Sequence, residues 1–150
     1  FPSLDHGYMW RVMAAYGIPK EVVNLVKAIY HKHSVEFKIF GEILPGFEVT
    51  SGIKQGCPAS GSLFALCLDP FLRYILVRIP RPVGRLFTFA DDMAAFLMNI
   101  KKHLPIMIRC VALLQLAAAL RAHPRKTQLV PIAATVVEDI VVWVQALAPP

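Results

Sequence analysis

Phe87-Thr-Phe-Ala-Asp-Asp-Met-Ala-Ala-Phe-Leu-Met98 is the stretch that decides how the rest of the chain is read. Phe87 and Phe89 lead into a pair of adjacent carboxylates, Asp91 and Asp92, and Phe96, Leu97 and Met98 lead out. The pattern predicts two strands with the acids at the turn between them. A turn by itself favours Asn-Gly or Asp-Gly, where glycine accepts a positive φ. Asp-Asp lacks that advantage, and its like charges repel. A cation would remove the conflict, since two carboxylates on a rigid hairpin tip can hold hard, octahedral Mg²⁺ through oxygen. An exposed acidic turn is the plainer alternative, and the surrounding sequence has to decide between the two.

The 150 residues make one domain or part of one, long enough for a real core. Apolar residues supply 56% of the chain and mean hydropathy is +0.53. No stretch is expected to reach the ~20 uncharged apolar residues that span a bilayer. Residues 110–120 are too short, and Glu138 and Asp139 interrupt the tail. The apolar excess therefore predicts a core, one that neighbouring segments of a longer protein would cover. A net charge of +6 and a pI near 9.5, from 16 basic against 10 acidic residues, favour a polyanionic partner without naming it. Cys57, Cys67 and Cys110 are odd in number and widely spaced, which excludes a disulfide framework and a zinc site and suits a reducing intracellular setting. Phe1 is not an initiator methionine and residues 1–6 lack signal-peptide character, so the sequence is expected to be a fragment of something longer.

Local patterns predict the elements in order. Ser3 or Asp5 can cap a helix running to about Tyr16, with Gly17 just past its end. Pro19 suits the start of a second helix, Lys20 to about His31, with an apolar stripe of Val22, Val23, Val26, Ile29 and Tyr30. From Ser34 to Phe40 the period changes to two, predicting a half-buried strand, with Phe47–Thr50 as its partner after a Pro45-Gly46 turn. Gly52–Phe64 reads as a loop feeding a helix to about Val77, capped by Ser60 or Ser62 and kinked or broken at Pro70. A long helix over Lys101–Ala122 and a short strand over Lys126–Ile132 follow the acidic hairpin. Strand and helix compete in the β-branched tail, residues 133–150.

Two further segments carry chemistry. Gly52-Ile-Lys-Gln-Gly56 puts Lys54 and Gln55 between glycines, so a bulky partner could approach the backbone closely. Lysine can meet a phosphate and an amide can bond a sugar or base edge; an ordinary glycine-rich turn is the alternative. Pro124-Arg125-Lys126-Thr127 places two cations ahead of the predicted last strand, where a solvated basic turn would look the same.

Together these segments resemble a known family. Gly52-Ile-Lys-Gln-Gly-Cys-Pro-Ala-Ser60, with Leu63-Phe64 and Leu68-Asp69, is similar to the B motif of reverse transcriptases. Phe89-Ala90-Asp91-Asp92 looks like their C motif in the form seen in non-LTR, LINE-like retrotransposons. His123–Val130 resembles the D motif, with Lys126 at the lysine position, and Phe1–His6 the downstream half of the A motif. The resemblance implies an α+β, palm-like fold, an antiparallel sheet with helices on one face plus part of the fingers. Residues 1–150 would be a partial domain starting within motif A and ending after motif D. It implies an RNA-directed DNA polymerase fragment working through two Mg²⁺ ions on RNA template, DNA primer and dNTP, in an intracellular, nuclear setting with no membrane partner. Asp91 and Asp92 would be metal ligands and catalytic residues, Phe89 and Ala90 would lie near the primer terminus, and Lys54, Gln55 and Gly56 would contact template and incoming nucleotide. Lys126 would approach the triphosphate and act as the acid for the leaving pyrophosphate.

The family's A motif opens with a catalytic aspartate just ahead of the position matching Phe1, and the fingers upstream and thumb downstream complete the enzyme. The fragment alone is therefore expected to have little or no activity, with Asp5 capping a helix rather than substituting. A non-catalytic remnant that at most binds nucleic acid is the alternative reading. The palm of an RNA-directed RNA polymerase is another, against which Ala90 and the Gln55-Gly56 loop argue. His31-x-His33 lacks a third ligand, Tyr8, Trp10 and Trp143 read as core, Cys57 has no nearby base, and Glu138-Asp139 reads as a solvated edge.

Overall fold

The computed structural model describes residues 3–89, 92–123, 126–130 and 132. Along the chain run α1 (His6–Ala15), α2 (Lys20–Tyr30), β1 (Ser34–Ile39), β2 (Glu42–Glu48), α3 (Ser60–Arg78), β3 (Gly84–Phe89), β4 (Asp92–Leu97) and α4 (Ile100–Ala118). The architecture is α+β and palm-like, with four helices and two antiparallel hairpins. The expected continuous sheet is not formed among the described residues: β1–β2 and β3–β4 are separate two-stranded sheets.

The 19-residue helix α3 organises the packing. Leu63, Phe64 and Cys67 in its first half meet Met9 and Met13 of α1 and Val26 of α2 in one core. Phe71 and Ile75 in its second half, with Ile79, meet Met107 and Cys110 of α4 in another. Burial pushes the Cys67 thiol up to about 11, so it packs as a small apolar group. Pro70 neither breaks nor ends α3; apolar anchors on both sides of it hold the helix through the lost backbone bond. By length and mean hydropathy α3 is long and apolar enough to cross a bilayer, although Asp69, Arg73 and Arg78 interrupt its apolar run. In this fold it serves both cores, and its polar side holds Asp69 and Arg73, with Arg73 Nε donating to Asp69 Oδ2 at 2.6 Å and the Tyr16 hydroxyl bonding the same oxygen.

Helix ends were largely legible. Asp5, not Ser3, caps α1, its carboxylate accepting from the Tyr8 amide at 2.6 Å, and Gly17 leaves the helix at φ +69°. On α2, Val26 and Tyr30 are buried, but Val22 and Ile29 of the expected stripe are exposed, with no element among the described residues covering that side.

The first hairpin differs from its prediction. Phe40-Gly41, both at positive φ, turn the chain, and Ile39 pairs with Glu42. Pro45-Gly46 lies inside β2, where a register shift between Ser34 and Glu36 brings Gly46 under the Val35 carbonyl, leaving no room for a Cβ. The strand is exposed along nearly its whole length rather than half-buried. Its register puts Phe37 and Leu44 on the same face, which no core covers.

The second hairpin follows its prediction, with Gly84 opposite Leu97 and Phe89 opposite Asp92. Leu86 and Leu97 face the second core, and Gly84 sits so close to the Ile79 side chain that a Cβ would collide with it. Arg85, Phe87 and Phe89, with their partners Phe96, Ala94 and Asp92, therefore share the outward face.

Candidate nucleic-acid and metal site

β3 and β4 deliver Phe89 and Asp92 as a cross-strand pair at the end of an anchored ribbon. Phe89 is 84% exposed, unusual for a phenylalanine in a strand whose alternate residues reach a core. Asp92 is exposed and makes no ion pair among the described residues, so its carboxylate is open to a cation. Ala90 and Asp91 lie outside the described residues. A carboxylate with free oxygens is the hard donor that Mg²⁺ takes, and the donor chemistry fits. No group of three His, Cys, Asp or Glu that could hold an ion occurs among the described residues.

The glycine-rich loop is held from several elements. The Gly52 amide donates to the Leu4 carbonyl at 2.7 Å, and His6 Nε2–H donates to the Gly52 carbonyl at 2.8 Å. Ile53 is buried in the first core. The Lys54 amide donates to the Tyr30 hydroxyl at 3.2 Å, and the Ser60 hydroxyl donates to the Lys54 carbonyl. That bond corrects the expected capping role of Ser60: α3 starts without a side-chain cap because the hydroxyl serves the loop. Lys54 is half-buried, whereas Gln55 and Gly56 are exposed, and nothing lies within 4 Å of where a Gly56 Cβ would be. Gly52 and Gly56 sit at φ +88° and +82°, conformations that open the loop to glycine and penalise other residues. The tip thus presents bare backbone to solvent.

Lys126 is exposed, and its amide donates to the His123 carbonyl at 3.0 Å. Thr127 bonds the same carbonyl through its amide and its hydroxyl. These local bonds make a turn, and the expected strand does not form among the described residues 126–130 and 132. No hydrogen bond or ion pair among the described residues joins the loop, the hairpin end and Lys126. The structure supports them separately: the loop on the first core, the hairpin on the second.

A family profile described as reverse transcriptase (RNA-dependent DNA polymerase) matches residues 1–137. The chain belongs to the reverse transcriptase family. It is similar to the retrovirus-related Pol polyprotein from type-2 retrotransposable element R2DM of Drosophila melanogaster, 35% identical over 100 residues that make up 64% of this chain and 10% of the relative. It is also similar to the transposon TX1 uncharacterized 149 kDa protein of Xenopus laevis, 30% identical over 100 residues, 62% of this chain and 8% of the relative. The chain thus spans about a tenth of the length of these curated relatives. The reverse transcriptase match covers both the glycine loop and the acidic hairpin. Enzymes of this kind transfer nucleotides, usually with divalent metal ions.

The supports of the loop escaped sequence reading. His6 lies 46 positions from Gly52, and no local pattern signals their bond. Tyr30 did carry a signal: a tyrosine on an apolar stripe must find a partner for its hydroxyl once buried. Among the weaker candidates, Tyr8 and Trp10 pack against the first core as expected. His31 ends α2 and His33 bonds Val49 through its carbonyl, so neither is drawn into a metal cluster among the described residues. Trp143, Glu138 and Asp139 lie outside the described residues, as does Arg125.

Proposed function

We propose that this chain is the palm region of an RNA-directed DNA polymerase from a LINE-like retroelement, and that it binds a recessed RNA template–DNA primer duplex. The observation that carries the reading is the β3–β4 end, where an exposed phenylalanine stands opposite an aspartate that makes no ion pair among the described residues, on a ribbon anchored to the core. On this reading Asp91 and Asp92 hold Mg²⁺, and Phe89 and Ala90 lie against the primer terminus. Lys54, Gln55 and Gly56 face the template strand and the incoming nucleotide, and Lys126 gives its proton to the departing pyrophosphate. Divalent ions held by Asp91 and Asp92 would supply charge stabilisation to the nucleotidyl transfer. The protein's own contribution is to position and to stabilise charge. The three cysteines are free, which suits the reducing intracellular compartment such a polymerase would work in.

A two-ion site needs carboxylate oxygens beyond those of one hairpin. Asp5 does not supply them, because its carboxylate is engaged by the Tyr8 amide at the start of α1. The isolated chain is therefore expected to bind duplex without extending it. Fluorescence anisotropy with a labelled template–primer should show binding that weakens with salt, and each of Lys54→Ala and Lys126→Ala should weaken it about two- to tenfold. Absence of duplex binding would overturn the reading. Mg²⁺-dependent primer extension by the isolated chain would overturn the view that its site is incomplete.

A further inference from the structure

Two buried or half-buried rings meet behind the glycine loop. The His6 and Tyr30 rings lie edge to face, with centroids 5.0 Å apart and an interplanar angle of 81°. Trp10 closes the group against Tyr30 at 6.1 Å and 82°. From this unit two bonds reach the loop with opposite polarity. His6 Nε2–H donates to the Gly52 carbonyl, and the Tyr30 oxygen receives the Lys54 amide. A carbonyl can only accept, so the His6 tautomer is fixed with its proton on Nε2. Burial raises the pKa of the Tyr30 phenol, which keeps it neutral. Between the two bonds Ile53 is sunk in the core, and immediately beyond them Gln55 and Gly56 stand free. The loop backbone is thus fixed on both sides of Ile53, and fixed in one rotational setting, because a peptide carbonyl and an amide two residues apart are held by groups that touch each other.

We propose that His6 and Tyr30 are positioning residues that act through the backbone of Gly52 and Lys54 to set where Gln55 and Gly56 meet the template and the incoming nucleotide. The inference rests on the proposed nucleic-acid role of that loop tip. Neither side chain need touch nucleic acid. Removing either side-chain partner would leave a backbone group of the loop without its bond, and the loop would then be free to shift.

Three substitutions separate the chemistry from the packing. Tyr30→Phe keeps the ring and removes only the oxygen. His6→Phe keeps a ring and removes the donor, whereas His6→Gln keeps an N–H at similar reach. The 150-residue chain would be followed by amide NMR and by anisotropy with an RNA template–DNA primer duplex plus the complementary dNTP. Tyr30→Phe and His6→Phe should shift the Gln55 and Gly56 amide resonances and weaken duplex binding about five- to tenfold, the scale of one lost hydrogen bond. His6→Gln should restore both readouts. Binding and tip resonances unchanged in the two phenylalanine variants, with wild-type binding intact, would overturn the inference alone. Wild-type protein that fails to bind duplex would overturn it together with the proposed function. Failure of His6→Gln to restore what His6→Phe loses would also overturn it, because ring packing rather than the donor would then be at work.

Discussion

The two hairpins are of similar length and both pair antiparallel, yet they are held in opposite ways. β3–β4 sends Leu86 and Leu97 into the second core and fits Gly84 against Ile79, so one face is anchored and the other is displayed. β1–β2 contributes no residue to either core, and Phe37, Ile43 and Phe47 remain exposed on it. Asp92 belongs to the anchored ribbon. A carboxylate pair that must meet a metal within tenths of an ångström needs a rigid support, whereas an isolated two-stranded ribbon is marginal in water. Position on a core, and not antiparallel pairing, is what separates the two ribbons.

Loosening the anchor of β3–β4 should have the largest effect. Ile75 is buried at 2% exposure in the second core. Ile75→Ala should cost about 2–5 kcal/mol, measured as a fall in the urea midpoint. Amide exchange along β3–β4 should accelerate with it; exchange there that stayed at the wild-type rate would show that the core does not hold the hairpin.

Gly46→Ala is the matching test on the other ribbon. Its new methyl would run into the Val35 carbonyl, backbone that cannot swing aside, at a local cost of about 1–3 kcal/mol. Because β1–β2 lies outside both cores, cross-strand NOEs should be lost there while the global urea midpoint moves little. A midpoint that falls as far as in Ile75→Ala would mean the first hairpin is integral to the fold.

A gain is expected at the turn of the same ribbon. Phe40 is fully exposed, at 104%, and holds φ at +50°, a region costly to a bulky L-residue. Phe40→Asn would create Asn-Gly and should stabilise the hairpin by about 0.5–1 kcal/mol, seen as slower amide exchange across β1–β2. Faster exchange would show that the phenylalanine makes a stabilising contact.

The smallest expected effect concerns the polar tie between α1 and α3. The Tyr16 hydroxyl, then Arg73, holds the Asp69 carboxyl below the usual carboxylate range, and the hydrogen bond to Asp69 raises the Tyr16 phenol. A lowered carboxylate stabilises the fold above its unfolded pKa and loses that contribution as pH falls through the folded value. A raised phenol stabilises below its unfolded pKa and loses the contribution as pH rises through the folded value. The Tm difference between wild type and Tyr16→Phe should therefore be greatest between about pH 5 and 9 and shrink toward both extremes. A difference independent of pH would mean that the hydroxyl acts through packing alone.

What was legible in the sequence follows from how local each cause is. Asp5 and Gly17 mark helix ends by chemistry within a few residues, and the Phe87–Met98 alternation fixes the second hairpin within its own length. The first hairpin was misplaced because Pro45-Gly46 carries turn chemistry while Phe40 does not; the register bulge that uses Gly46 depends on Val35 across the ribbon. Ser60 looked like a cap, but its hydroxyl had a tertiary partner in Lys54. The candidate residues of the loop were visible as a glycine pattern, whereas its clamp by His6 and Tyr30 spans distant segments and no local pattern encodes it.

On the proposed function, the end of the anchored hairpin faces the metal. Mn²⁺, which substitutes for Mg²⁺ at oxygen sites, broadens NMR signals of nearby nuclei, so titrating it into the isotope-labelled chain tests the claim directly. Selective loss of the Phe89 and Asp92 amide signals is expected, abolished in the Asp91→Asn, Asp92→Asn double variant, with the Glu42 end of β1–β2 unaffected. Broadening that is equal at the two hairpin ends, or that persists in the double variant, would contradict it.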